Sequence, residues 1–165
     1  MRKPKNCLTD RGKAALKAFL LVIIVALAGA QVPEHLSWNE SDSVKPRLFF
    51  LVKAPVQIEK GDYVIFTPKN IDPYINGKTL VKKVTCNEGD TLTKKGKDYF
   101  CNGNIFLGKA KDFSLKGERL RNFIYNGIIP KGFCFVSGSD KDSYDSRYWG
   151  FLRKNDIEAR AYPVF

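Results

Sequence analysis

One long apolar run near the start of the chain limits what this sequence can fold into. It covers Ala18 to Ala30 without a charge and can be extended to residues 14–32. As a helix, that segment would be roughly 28 Å long, enough to cross a membrane if the Lys17 side chain extends toward the headgroups. We therefore predict a transmembrane helix over residues 14–32.

The residues around the run predict its orientation. Residues 1–17 contain six basic residues and one acidic residue, Asp10, which is typical of a cytoplasmic flank. Ala28-Gly29-Ala30 also has the small-x-small pattern of a signal cleavage site. The segment is therefore either a removable export signal or an uncleaved signal anchor, and both would export residues 31 onward. An anchor would divide the chain into a cytoplasmic basic tail (1–13), a transmembrane signal anchor (14–32) and a periplasmic domain (33–165).

The exported part shows short β-type runs separated by turn residues, with little helical periodicity. Asn102-Gly103 between two such runs favours a hairpin with a type I′ turn. Residues 108–125 are more polar and form an excursion. The pattern predicts a mainly β, barrel-type domain with strands at 47–52, 62–66, 79–85, 98–101, 104–107, 133–137 and 159–164.

The charge and the cysteines exclude several classes of function. The chain has 28 basic and 17 acidic residues, but it contains no nucleic-acid-binding motif, and its aromatic residues do not interleave with the basic ones. The excess favours an anionic membrane surface or a solvated face. Cys86, Cys101 and Cys134 match no zinc or redox spacing. They are either buried apolar residues, or Cys86 and Cys101 form a disulfide in an oxidising compartment.

Four sequence blocks carry a resemblance to a known family. They read S-D-S-V-K-P at 41–46, G-D-Y-V-I-F at 61–66, K-K-V-T-C-N-E-G-D at 82–90 and D-S-Y-D-S-R-Y-W-G at 142–150. In this order they resemble the type I signal peptidases, which carry a serine segment past a membrane anchor and a catalytic lysine on a later strand. The stretch I-P-K-G-F-C-F-V and the ending A-Y-P-V-F are most similar to the TraF-type conjugative transfer signal peptidases.

The resemblance implies a Ser-Lys dyad on a signal-peptidase-like β domain. Ser43 would be the nucleophile, and Lys82 would be the general base that takes its proton. Lys82 has to be neutral for this role, so it needs an apolar setting that lowers its pKa. Strand alternation puts Lys82 and Lys83 on opposite faces, and the family register selects Lys82.

The resemblance also implies supporting residues. The Ser41 hydroxyl would join the Ser43 backbone N–H in an oxyanion hole, and Ser143 would hydrogen-bond the Lys82 amine. Asp145 and Arg147 would form an ion pair in the site wall, although an aspartate can also assist transpeptidation in the pilin-processing branch. No metal or organic cofactor is implied.

The expected substrate is an exported precursor with small residues before the cleaved bond, with a pilin precursor favoured by the resemblance. A conjugation or secretion apparatus and the inner membrane are the expected partners. The plainer interpretation makes Ser41 and Ser43 loop residues and Lys82 a solvated lysine. The chain would then be a non-enzymatic exported β-domain subunit of a secretion or mating apparatus. A self-cleaving repressor-type peptidase is disfavoured by the apolar segment.

Overall fold

The computed structural model describes residues 17–23, 35–54, 57–69 and 72–164. The chain divides into two units, Met1–Leu36 and Ser37–Phe165. In the first unit, residues 17–23 form helix α1 with exposed side chains. The rest of the predicted segment 14–32 and the tail 1–13 lie outside the described residues. No helix in the described ranges has the length and apolarity that a membrane crossing requires.

The second unit is built mainly from β-strands, which confirms the prediction of a mainly β domain. The described strands are β1 Leu36–Trp38, β2 Leu48–Lys53, β3 Tyr63–Phe66, β4 Leu80–Asn87, β5 Thr91–Lys95, β6 Asp98–Cys101, β7 Ile105–Lys109, β8 Gly127–Ile128, β9 Phe133–Ser137, β10 Leu152–Arg153 and β11 Ile157–Pro163. A short helix, α2 (Ser146–Trp149), precedes β10, and a 3-10 helix (Lys154–Asp156) follows it.

The strands form two sheets. The larger has seven strands in the order β1-β2-β11-β3-β4-β9-β10, and the smaller has four in the order β7-β6-β5-β8. This refines the barrel-type prediction, because the described pairings leave short strands β1 and β10 at the two ends of the larger sheet. The strand predicted at 133–137 has those bounds as β9. β1, β5, β8 and β10 were not predicted, and three of them have only two or three residues.

The β6–β7 hairpin and a disulfide fix the smaller sheet. Asn102 and Gly103 have φ values of 52° and 80°, as the predicted type I′ turn requires. Cys86 of β4 and Cys101 of β6 are joined by a disulfide with Cα atoms 5.7 Å apart. This confirms the disulfide alternative and ties the strand that carries Lys82 to the smaller sheet. Cys134 is a free, buried thiol.

One core cluster brings two of the sequence blocks together. Val44 and Val81 are both buried in it, packed with Phe49, Ile65 and two alanines of β11. Val44 follows Ser43 in the chain, and Val81 precedes Lys82. Burial of these apolar side chains on each other is favourable by about 25 cal/mol per Å² removed from water. The same packing therefore holds the serine loop next to strand β4.

Candidate active site

Residues 39–47 form a loop between β1 and β2 that carries Ser41 and Ser43. The Ser41 and Ser43 hydroxyl oxygens lie 2.8 Å apart and share a hydrogen bond. The Ser43 carbonyl oxygen accepts a hydrogen bond from the Ser139 backbone N–H at 2.7 Å. Arg47 closes the loop, since its carbonyl accepts from the Asn39 N–H and its guanidinium contacts Asp42 at 2.7 Å. Asn39 and Val44 of the loop are buried, Ser43 and Pro46 are half-buried, and the other loop residues are exposed.

Lys82 lies in β4 with its side chain buried, at 2% exposure. It pairs with Val64 of β3, and alternation along β4 puts it on the same face as Val84. Both valines are fully buried. This desolvation lowers the pKa of the Lys82 amine from 10.5 to about 8, with the Asp145 carboxylate opposing the effect and Arg147 adding to it.

Lys83, the next residue, has a different environment. It is only partly buried, and its amine lies 5.6 Å from the centroid of the Tyr63 ring. The two lysines therefore differ as strand alternation and the family register predict. Unlike Lys83, Lys82 donates a hydrogen bond from its amine to the Ser143 hydroxyl, at 2.7 Å. This is the contact that the resemblance implies.

The segment from Ser143 to Arg147 is almost completely buried, and an ion pair organises it. The Arg147 guanidinium donates to both carboxylate oxygens of Asp145, each at 2.8 Å, and the two side chains are at most 3% exposed. Asp145 also accepts from the Gly138 N–H at 2.9 Å and caps the N-terminus of α2. The predicted ion pair is thus present as a buried, bidentate pair, the strongest geometry for these groups.

Arg147 also links this segment to the smaller sheet. One guanidinium nitrogen donates to the Ser143 carbonyl at 3.0 Å, and another donates to the Lys109 carbonyl of β7 at 2.9 Å. Ser143 is therefore held from its carbonyl side by Arg147, while its hydroxyl accepts from Lys82. This arrangement fixes the hydroxyl that orients the Lys82 amine.

The serine loop and the lysine line one cavity of about 410 Å³. Ser41, Ser43 and Lys82 are on its wall, together with the Tyr144 and Tyr148 rings, which stack with centroids 5.0 Å apart. The other three predicted site residues, Ser143, Asp145 and Arg147, lie behind this wall, where Ser143 bonds to Lys82 and Arg147 bonds to Ser143. The remaining wall comes from the 72–80 segment, the predicted excursion and Asp142. The residues of the first two are Tyr74, Ile75, Lys78, Leu80, Lys111, Phe113, Ser114, Leu115, Lys116, Glu118 and Leu120.

Two residues that shape the site, Asn39 and Gly138, were not predicted from the sequence. Asn39 is buried and makes hydrogen bonds to the serine loop, but it lies outside the block that carries the resemblance. Gly138 allows close packing, because a Cβ there would lie 2.0 Å from the Ser143 hydroxyl and 2.4 Å from the Ser43 carbonyl oxygen. Its proximity to the predicted β9 was the only available signal.

The described residues contain one group with metal-ligand side chains, formed by Cys86, Asp90 and Cys101. Both sulfurs belong to the disulfide, so neither is available as the thiolate that a metal binds. The group therefore offers only the Asp90 carboxylate.

Comparison with known proteins gives the family. The profile described as signal peptidase, peptidase S26, matches residues 8–165. The chain belongs to this family. A signal peptidase I from Aquifex aeolicus (strain VF5) is 33% identical over 64 residues, which is 38% of this chain and 25% of that protein. The chain thus matches about a quarter of that relative's length.

Two further proteins match this chain over nearly their whole length. The conjugal transfer protein TraF from Agrobacterium fabrum (strain C58) is 24% identical over 171 residues, covering 93% of this chain and 97% of that protein. The crystal structure of a signal peptidase I from Enterococcus faecalis V583 aligns with a TM-score of 0.42 and 21% identity, covering 65% of this chain and 98% of the other.

Proposed function

We propose that this S26-family protein is a membrane-anchored serine endopeptidase that cleaves exported precursors with a Ser43–Lys82 dyad. One observation carries the proposal: a buried lysine with its pKa lowered to about 8 lines the same cavity as Ser43. Such an amine is uncharged in about a tenth of molecules at neutral pH and in about half of them at pH 8, and the uncharged form can accept a proton. A solvated lysine could not do this at the same pH.

The resting hydrogen bonds define the first step. Ser43 is bonded to Ser41 and Lys82 to Ser143, so the Ser43 hydroxyl turns toward the neutral amine when substrate binds. Its oxygen attacks the scissile carbonyl as Lys82 takes the proton, and Lys82 returns that proton to the leaving amine. Water then attacks the acyl ester as Lys82 takes a proton from it, and Lys82 passes that proton to the departing Ser43 oxygen, which restores the Ser43 hydroxyl and the neutral amine.

The negative charge on the carbonyl oxygen needs hydrogen-bond donors. The Ser43 backbone N–H and the Ser41 hydroxyl supply them in this proposal. Loss of one such donor typically costs about 2.7–4 kcal/mol of transition-state stabilisation. Ser143 keeps the amine aimed at the cavity, and the Asp145–Arg147 pair holds Ser143 from behind.

The substrate in this proposal is an extended segment of an exported precursor. Leu80, Leu120 and Tyr148 give the cavity an apolar wall, which suits alternate small side chains of a strand-like peptide. Similarity to a conjugal transfer protein over most of the chain favours a pilin precursor and a conjugation apparatus. The apolar segment 14–32 and its basic flank favour the bacterial inner membrane, with the catalytic domain in the periplasm.

The test uses the full chain in detergent and a candidate pilin precursor, with the precursor mass measured before and after incubation. Ser43→Ala and Lys82→Ala should abolish cleavage and still give folded protein. Ser37→Ala and Lys83→Ala are matched controls and should cleave normally, because they remove a hydroxyl from β1, which precedes the serine loop, and an amine from the position next to Lys82 in β4. Normal cleavage by either dyad variant would contradict the proposal.

The pH dependence gives a second check. Lys82 must be neutral, so cleavage should be lost as the pH falls below about 8. A penem ester that acylates active serines separates the enzyme from a non-enzymatic subunit. Covalent labelling at Ser43, detected by mass spectrometry and absent in Lys82→Ala, supports the enzyme, whereas no labelling of the folded wild type supports a structural subunit.

A further inference from the structure

Asn39 makes a compact set of hydrogen bonds in the serine loop that the dyad scheme leaves without a role. Its side chain is buried, at 7% exposure, beside the exposed Ser41 and the half-buried Ser43. The amide nitrogen donates to the carbonyls of Ser41 and Val44, at 2.9 and 3.1 Å. The amide oxygen accepts from the Ser41 backbone N–H at 3.2 Å and from the Ser41 hydroxyl at 2.9 Å.

The backbone partners fix the orientation of the Asn39 amide. Two carbonyl oxygens can be satisfied only by the NH₂ group, and a backbone N–H only by the oxygen. In the flipped orientation, the amide oxygen would face the two carbonyl oxygens, and the NH₂ group would face the Ser41 N–H, so none of these hydrogen bonds could form. The Ser41 hydroxyl therefore meets the amide oxygen, which accepts hydrogen bonds and cannot donate one.

This orientation determines the direction of the next hydrogen bond. A serine hydroxyl has one proton, and that of Ser41 is donated to Asn39. The 2.8 Å contact between the two serine oxygens must then be donated by Ser43 to Ser41. The resting loop is a chain of hydrogen bonds that runs from Ser43 through Ser41 to Asn39.

We propose that Asn39 is a positioning residue that holds the Ser41 hydroxyl beside Ser43 and lets this hydroxyl redirect its hydrogen bond to the substrate oxyanion. The inference rests on the proposed function. When Ser43 turns toward Lys82, Ser41 loses the hydrogen bond that it accepted, and its own hydroxyl rotates from Asn39 to the carbonyl oxygen. No covalent bond changes at Asn39. Its bonds to the Ser41 backbone keep the hydroxyl oxygen in place during this exchange.

The test is a double-mutant cycle between Asn39 and Ser41, with the first-order rate of Ser43 acylation by a penem ester as readout. Asn39→Ala should slow acylation about tenfold when Ser41 is present and less than about twofold in Ser41→Ala. The penem concentration for half-maximal rate should stay the same, because Asn39 touches no substrate. Equal losses in both backgrounds, or a rate at least as fast as wild type, would overturn the inference.

Asn87→Ala is the matched structural control. Asn87 also bridges backbone groups, since its amide donates to the Ile58 carbonyl and accepts from the Glu88 N–H, but it does not line the cavity. It should reduce the melting temperature and leave the acylation rate unchanged. If Asn39→Ala does not fold, Asn39→Leu fills a similar volume without an acceptor and replaces it in the cycle.

The two proposals fail in different ways. If the wild-type chain is not acylated and cleaves no precursor, the dyad proposal fails. If the wild type reacts, Ser43→Ala does not, and Asn39→Ala shows no dependence on Ser41, only the inference about Asn39 fails.

Discussion

The serine loop, residues 39–47, and the 143–147 segment both contribute to the wall of one cavity, but they are built in different ways. The loop is mostly exposed, and its ion pair joins side chains of Arg47 and Asp42 that are 50% and 84% exposed. In the 143–147 segment, Asp145 and Arg147 are at most 3% exposed. The lysine side of the site therefore belongs to the core, whereas the serine side depends on Val44 and local hydrogen bonds.

The difference follows from what each side has to do. A lysine amine becomes neutral near pH 8 only if water is excluded from it. Buried residues that are held in place by hydrogen bonds exclude water in this way. The nucleophile has to be reached by a polypeptide substrate, and its hydroxyl has to rotate. It therefore needs an accessible loop in which few hydrogen bonds have to break. We expect substitutions in the 143–147 segment to change stability strongly, and comparable substitutions in the serine loop to change mainly the rate.

Asp145→Ala should have the largest effect on stability. It leaves the Arg147 guanidinium buried without its carboxylate, and it removes the acceptor of the Gly138 N–H. Breaking a buried pair in this way costs about 3–5 kcal/mol. Urea denaturation of the full chain in detergent measures it. Asp145→Asn retains the shape and one acceptor and should lose less. A loss below about 1 kcal/mol for the alanine variant would show that the pair is not part of a desolvated core.

Lys82→Met should stabilise the protein near neutral pH while abolishing activity. The pKa of Lys82 is about 8 in the folded chain and 10.5 as the reference. Below pH 8 the Lys82 amine is protonated in both the folded and the unfolded chain, and the folded chain is destabilised by the desolvation of this charge. Between pH 8 and 10.5 the unfolded state binds more protons, so wild-type stability rises with pH.

The gain from Lys82→Met should therefore be largest below pH 8, at up to about 3 kcal/mol, and should shrink as the pH approaches 10.5. Thermal melts across this range measure it. Lys83→Met controls for the loss of a lysine from β4 and should show no such trend. A gain that does not depend on pH would mean that the burial of Lys82 does not set its protonation.

Gly138→Ala tests the contact between the two regions. The added Cβ would lie 2.0 Å from the Ser143 hydroxyl and 2.4 Å from the Ser43 carbonyl oxygen, so one of them has to move. We expect a stability loss of about 1–3 kcal/mol and a loss of penem acylation by the folded protein, because a shift of Ser43 displaces the nucleophile and a shift of Ser143 misaligns the Lys82 amine. Gly103→Ala is the control.

Gly103 has φ +80° and no atom within 4 Å of an added Cβ. Its replacement costs about 1–2 kcal/mol through backbone strain alone. It should thus lower stability to a similar extent with acylation unchanged. Normal acylation by Gly138→Ala would show that the serine loop tolerates displacement from Ser143.

The sequence predicted most of what depends on local pattern. Alternation in β4 and the family register selected Lys82 over Lys83, and the hairpin at Asn102-Gly103 follows from turn chemistry. The ion pair was predicted because Asp145 and Arg147 are two positions apart in a recognisable block. Its complete burial was not, since burial depends on how β7 and β9 pack around the segment.

Other parts of the site depend on contacts that no local pattern records. Asn39 bonds mainly to backbone groups, which any sequence has, so nothing in its neighbours marks it. The excursion contributes Phe113, Leu115 and Leu120 to the cavity wall only because the chain folds back over β4. Strands β8 and β10 have two residues each, too few to show alternation.

Asp42→Ala should have the smallest effect and completes the contrast with Asp145→Ala. Each substitution removes the carboxylate of an arginine pair, but the Asp42–Arg47 pair is exposed, and water and salt screen it. The expected stability loss is below about 1 kcal/mol and should disappear in high salt. Penem acylation should stay within about twofold of wild type, because Asn39 and Val44 still hold the loop. A stability loss close to that of Asp145→Ala would mean that the serine loop is as firmly built as the lysine side, and that the two regions do not divide stability and catalysis between them.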